Sequence, residues 1–313
     1  YMYRKLGLDD TTFTRSNSAI TRALEGGRRL TRDELRDVLQ TALHASFARV
    51  RGRRAPATPP LCAQTVLAYG GDAPSPAVQA VLGEARTLAH VLGQRTAKMH
   101  LTLAADPTAP AFAPVPFTVF YQRALYQAER SRVGRVLAAL HKQLPLLPAE
   151  AQAQAARLLT LREPLVQRFQ QIAQQPIRAQ RLRCHGDFHL GQVLVTGADL
   201  MLVDFEGQPQ QRVSERQLKR SPLVDVASML WSLQSAPAMA LRTACEGAGD
   251  AWPAGQRLAA WAPLRAWWRS TAFVHAYLAT AAAGTFLPVT PAALGLVLDH
   301  CWLASVVTAL HTT

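Results

Sequence analysis

Apolar positions recur at helical spacing along most of this chain, which predicts a succession of amphipathic helices. Between 78 and 105, "AVQAVLGEARTLAHVLGQRTAKMHLTLA" carries such a stripe, and Pro107, Pro110, Pro114 and Pro116 then mark an extended connection. A long helix is expected over 117–144, and another through 150–175. Beyond 221, "SPLVDVASMLWSLQSA" and several alanine-rich segments continue the helical pattern to the end. The period changes in one place. "QVLVT" and "LMLVDF", within 192–205, are short β-prone runs joined by "GAD", the pattern of a hairpin. A mainly helical α+β fold with one short β element follows, without a repeat of solenoid length.

The first 60 residues read differently. "SAITRALEGGRRLTRDELRDVLQTALHASFARV" predicts two polar, basic helices broken at Gly26-Gly27, the second capped by Thr31 with Glu34 closing a capping box. "RGRRAPATPP", 51–60, has the composition of a linker. The expected organisation is therefore a basic helical segment with its linker over 1–60 and a larger unit over 61–313.

The hairpin sits inside "RCHGDFHLGQVLVTGADLMLVDFEG", 183–207, where two histidines and several acids crowd an otherwise apolar stretch. A metal site, a general base and a solvated loop are all open on residue types alone. A hairpin returns on itself, so its open end holds the start of the first strand and the end of the second. Asp187, Gln192 and Asp204 should then converge at one mouth. Two carboxylates and an amide oxygen suit a hard divalent cation such as magnesium. They also suit a division of labour in which one carboxylate takes a proton from a hydroxyl while the other helps to hold a metal against phosphate oxygens, as in kinase-like phosphotransferases.

Composition narrows the classes. The chain has 313 residues, 49% of them apolar, and no uninterrupted apolar run of bilayer length. Its opening lacks the apolar core of a signal peptide. Cys62, Cys184, Cys245 and Cys301 are widely spaced without a CxxC pair, as expected for reduced thiols of a cytoplasmic protein and not for a zinc site. The formal charge of +13 favours anionic partners such as nucleotide phosphates, although an arginine- and alanine-rich coding bias accounts for it equally well.

"HGDFHLGQVL" followed by "LVDFEG" resembles the catalytic core of the maltokinases, which have an aminoglycoside-phosphotransferase-like, protein-kinase-like fold. Related sugar and aminoglycoside kinases carry Asn where Gln192 stands, whereas maltokinases carry Gln. The resemblance extends to 91–118, "QRALYQ" (122–127), "SPLVDVASML" (221–230) and "FVHAYLATAAAGTFLP" (273–288), and so covers roughly 80–310.

The resemblance implies a protein-kinase-like C-lobe that phosphorylates maltose to maltose 1-phosphate with ATP and Mg2+. It implies Asp187 as the base toward the sugar hydroxyl, and Gln192 and Asp204 as metal ligands. Glu206 would be a further polar contact, His185 would brace the loop, and Asp225 would fix the loop's backbone. It further implies association or fusion with a trehalose synthase; no membrane partner is expected from the apolar run lengths, and nucleic acid is the less expected partner. His189 is open between a loop contact and an exposed side chain. His100 is expected to pack within a helix, and Trp267, Trp268 and Trp302 to be core residues before sugar platforms.

A kinase-like enzyme also needs an N-lobe with a β-sheet, a phosphate-covering loop and a strand lysine paired with a helix glutamate. Residues 1–80 contain no such pattern. The expectation is a fragment whose other half lies upstream, a fusion in which another module stands there, or a degenerate non-catalytic domain. Two rivals stand beside the kinase reading. A metallophosphoesterase would share "GDFH" but needs further His, Asn and Asp ligand motifs that the chain lacks. A sugar- or DNA-binding protein with a winged-helix-like N-terminal segment would show salt-sensitive DNA affinity.

Overall fold

The computed structural model of the chain describes residues 55–71, 73–196, 199–208, 211–246 and 261–312. The expected basic helices around Gly26-Gly27 and Thr31 lie outside the described residues.

Three helices open the described chain: α1 (Ala63–Leu67), α2 (Pro76–Leu82) and α3 (Ala85–Leu103). The single helical stripe expected over 78–105 is thus two helices, separated where Gly83 takes a left-handed φ of 51°. Helix α3 buries Ala89, Leu92, Gly93, Thr96, Ala97 and His100, the spacing of one helical face. That face lies against α9 (Trp261–Ala281). The approach is close, since a Cβ built on Gly93 would stand 2.2 Å from the carbonyl oxygen of Phe273 and 2.9 Å from the amide nitrogen of Tyr277.

Helix α4 (Val119–Gln143) begins at Thr118, whose hydroxyl accepts the amide of Tyr121. The expected helix through 150–175 is divided into α5 (Ala149–Leu159) and α6 (Arg162–Gln170), followed by a tight 171–173 turn. The strands among the described residues form two short antiparallel pairs: β1 (Val115–Pro116) with β2 (Gln180–Arg181), and β3 (Val193–Thr196) with β4 (Asp199–Leu202). The second is the expected hairpin. The first was not foreseen, because two-residue strands leave no alternation to read.

After a short turn of helix, α7 (Val213–Arg216), come α8 (Leu223–Glu246) and α10 (Pro291–Thr312) on either side of α9 in sequence. Helix α10 packs on α8 and α4. By length and composition, Pro291–Leu310 is the one helix among the described residues able to cross a membrane, with a mean hydropathy of 1.7. The absence of an uninterrupted apolar run and this average are compatible because Asp299 and His300 stand in its middle. Arg168 of α6 makes a two-pronged contact with Asp299 at 2.7 and 2.6 Å, and the His300 ring is buried against Phe169. The main core gathers Leu92, Phe117, Leu182, Phe188, Leu230, Phe273 and Tyr277 behind the hairpin.

Candidate active site

The segment leading into the hairpin is held from both sides. Gln122 on α4 is fully buried, and its amide donates to the carbonyls of Ile172 and Gln175 and accepts from the amide of Ile177. This side chain takes the place of backbone partners that an irregular buried turn would otherwise lack. Leu182 then exchanges hydrogen bonds of 2.9 Å in both directions with Arg220. The chain therefore enters the 183–192 loop on fixed rails.

Asp225, in the first turn of α8, closes the loop. Its Oδ2 accepts the His185 amide at 2.7 Å, and its Oδ1 accepts the Gly186 amide at 3.0 Å. Oδ2 also meets Nε2 of His100 at 3.1 Å, and Nδ1 of His100 meets the Tyr277 hydroxyl at 3.0 Å. Burial by itself would raise the Asp225 carboxyl. The hydrogen bond from His100, with smaller help from His185 and the Gly186 amide, outweighs it and holds the group below the usual carboxylate range. Asp225 is thus an anion in the core, and its oxygens meet two backbone amides and an imidazole.

His185 points the other way. Its Nε2 lies 2.9 Å from the carbonyl oxygen of Val203, and its ring stacks obliquely between Phe188 and Phe205, with centroids 5.1 and 4.8 Å away. Gly186 has a φ of 85°, and a Cβ there would contact the Cα of Gly207 at 3.4 Å. Loop 185–187 therefore lies directly against the turn 203–207.

The hairpin mouth forms at that seam. The strand ladder ends at Val193 opposite Leu202, and the Val203 amide adds one more bond, 3.0 Å to the Gln192 carbonyl. At Asp204 the backbone turns left-handed, with φ 63°, so β4 ends before the expected 205 and the carboxylate is thrown into the mouth. Gln192 Nε2 donates to Asp204 Oδ2 at 3.1 Å. Asp187 stands on the facing loop, with Nε2 of His189 3.9 Å from its Oδ2. His189 is half-exposed, and its Nδ1 accepts the Gly191 amide at 3.0 Å, so it is a loop contact and a solvated side chain at once. Glu206 lies within the same turn, half-buried, without a hydrogen bond or ion pair to the described residues.

All the donors at the mouth are oxygens or amides, and the Asp204 carboxylate is solvent-exposed with Gln192 as its hydrogen-bond partner. That donor set fits magnesium, which prefers hard oxygen ligands and keeps waters. A different trio, His100, Cys184 and Asp225, has ligand atoms within 4.8 Å of one another. Its members are already engaged. His100 and Asp225 bond to each other, while the Cys184 thiol, pushed up by burial, faces the carbonyls of Leu182, Arg220 and Ser221.

No protein-family model matches the chain. Among solved structures, a glucosamine kinase superposes with a TM-score of 0.54 at 22% identity, over 87% of this chain and 53% of that one. A glucosamine kinase in complex with glucosamine, ADP and inorganic phosphate gives the same TM-score and identity, over 87% of this chain and 54% of that one. The fold is shared with sugar kinases. The chain spans about half the length of the structures it matches.

Sequence reasoning missed His100, Tyr277 and Gln122 as parts of the scaffold around this site. The available signal was polarity on an apolar face: His100 continues the buried stripe of α3, where a leucine would satisfy the pattern. The tryptophans Trp267 and Trp268 pack edge-to-face with Tyr69 and with each other, and Trp302 is buried in the main core.

Proposed function

We propose that this chain carries the catalytic half of a sugar kinase, transferring the γ-phosphoryl group of ATP to a sugar hydroxyl, with maltose as acceptor and maltose 1-phosphate as product. The observation that carries the reading is the seam between loop 185–187 and turn 203–207, which sets Asp187 beside a mouth formed by Gln192 and Asp204. Asp187 accepts the proton of the sugar hydroxyl as its oxygen bonds to the γ-phosphorus and the bond to the β-phosphate oxygen breaks, releasing ADP. Gln192 and Asp204 are the residues that would hold magnesium, which when bound neutralises phosphate charge. Asp225 keeps the loop in place from behind, and His185 ties it to Val203. Glu206 is the further polar group at the mouth.

The maltose assignment rests on the resemblance of "HGDFHLGQVL" and "LVDFEG" to the maltokinases. The likeness of fold to glucosamine kinases makes glucosamine the acceptor to set against it. Association or fusion with a trehalose synthase belongs to the same reading. The phosphate-covering loop and strand lysine of a kinase are not among the described residues, so the test is made on the full natural polypeptide. With ATP, magnesium and a sugar panel, phosphorus NMR should show a sugar 1-phosphate formed from maltose in preference to glucosamine. Asp187→Asn should lower kcat about 100-fold or more while the fold is kept. A folded protein that phosphorylates no sugar overturns the reading, and selective turnover of glucosamine overturns its maltose part alone.

A further inference from the structure

Tyr277, His100 and Asp225 form a hydrogen-bonded chain that runs from the centre of the helical core to the amides just ahead of Asp187. The three residues stand on α9, α3 and α8, and each is essentially inaccessible to solvent. The direction of the chain is fixed at its Asp225 end. Burial pushes the Tyr277 phenol well above its ordinary range, so it stays a neutral hydroxyl, and its partner is Nδ1 of His100. Asp225 is an anion and can only accept, so Nε2 of His100 carries the proton directed at Oδ2. The same Oδ2 accepts the His185 amide, and Oδ1 the Gly186 amide. Carboxylate orientation about its terminal torsion is broad in the absence of contacts. Here His100 and the His185 amide meet Oδ2 while the Gly186 amide meets Oδ1, so the rotation is restricted at both oxygens. The other groups that face His100 are Phe286, edge-on at 6.4 Å, and the Cys184 thiol.

We propose that His100 is a positioning residue for phosphoryl transfer: its Nε2 proton holds the Asp225 carboxylate in the rotation that captures the His185 and Gly186 amides and thereby fixes where Asp187 stands. The inference rests on the proposed kinase reading for its kinetic consequence, but its structural half stands on the hydrogen bonds alone. Without the imidazole, Asp225 loses one of its partners inside the core and turns more freely, and loop 185–187 loosens. Catalysis by positioning is sensitive to such loosening because a small misplacement of the base lowers the rate without changing how substrates bind at a distance.

The experiment compares wild type with His100→Leu, His100→Gln and Tyr277→Phe, reading amide hydrogen exchange at 185 and 186 together with steady-state kinetics. His100→Leu should speed exchange at both amides roughly tenfold or more. It should also lower kcat by roughly 10–100-fold, with KM for nucleotide and sugar held within about twofold. His100→Gln, whose side-chain amide reaches nearly the same point as the imidazole Nε2, should restore both readouts most of the way. Tyr277→Phe should shift exchange in the same direction by less. Unchanged exchange at 185 and 186 in His100→Leu overturns the proposal, as does a Gln variant as impaired as the Leu variant or a rise in KM at constant kcat. Should His100→Leu fail to fold, the other two decide: near wild-type protection in Gln with loosening in Tyr277→Phe supports it, and unaltered exchange in Tyr277→Phe overturns it. A wild-type protein that transfers no phosphate overturns the kinase reading, while the exchange measurements still judge the role of His100.

Discussion

At the scale of single residues, the mouth depends on a backbone feature that side-chain chemistry alone does not reveal. Asp204 is the only non-glycine residue with positive φ among the described residues, at 63°. Asn and Asp tolerate this region because their short polar side chains can bond locally, whereas a β-branched residue is a genuine outlier there. Two substitutions therefore separate chemistry from conformation. Asp204→Asn should keep the thermal midpoint near wild type but raise the magnesium needed for half-maximal activity, roughly tenfold or more. Asp204→Val should lose the same chemistry and also about 1–2 kcal/mol of stability, measured by denaturant unfolding. The spacing from Asp187 to Asp204 was legible as a hairpin mouth because strand period and turn residues are local signals. The left-handed turn was not, since an Asp in an extended run looks the same in sequence whichever way its backbone goes. His100 was illegible for a related reason: its partners lie 125 and 177 positions away, and no short-range pattern announces them.

At the scale of elements, the packing of α3 on α9 decides whether the Tyr277–His100–Asp225 chain can form. The two helices approach through Gly93, where a side chain would meet backbone atoms and not the mobile end of a neighbour. Gly93→Ala should therefore force the helices apart and cost about 3 kcal/mol, with loss of protection at the 185 and 186 amides. Gly134, inside α4, provides the contrast, because nothing lies within 4 Å of a Cβ there. Gly134→Ala should stabilise the protein by about 0.5–1 kcal/mol through helix propensity, read by the same unfolding curves. The helices themselves were legible from periodicity, but their breaks were not. The division at Gly83 comes from a left-handed backbone, and the break between α5 and α6 falls at Thr160-Leu161, just ahead of Pro164 in the first turn of α6, a proline that the continuous helical pattern of 150–175 masks. The hairpin's tie to α3 through Arg95 and Asp199 is half-exposed on both sides, so solvent screening leaves it a minor contributor beside the buried contacts.

At the scale of the whole molecule, the mildly acidic range is where the core should weaken first, and His300 is the group responsible. It stands midway along α10, buried against Phe169, and burial lowers it to about 4, with Arg132 adding to the effect and Asp299 opposing it. The folded state thus keeps this imidazole neutral where the unfolded chain, near the ordinary value of 6.5, takes up a proton. Between those two values the unfolded state binds more protons, so stability falls as pH falls. The full contribution is present above about pH 6.5 and is lost progressively down to about pH 4, a loss of about 3 kcal/mol. Asp225 behaves differently: held below the usual carboxylate range, its contribution persists through this window and is surrendered only at lower pH. Urea unfolding at a series of pH values should therefore show a decline through the histidine range that His300→Phe removes. A decline equally steep in that variant would assign the acid sensitivity to another group. Because α10 packs on α8, which carries Asp225, and on α4, which carries Gln122, the same decline should be followed by faster exchange at the 185 and 186 amides. Loosening that began at the loop while α10 kept its protection would place the weak point at the mouth instead.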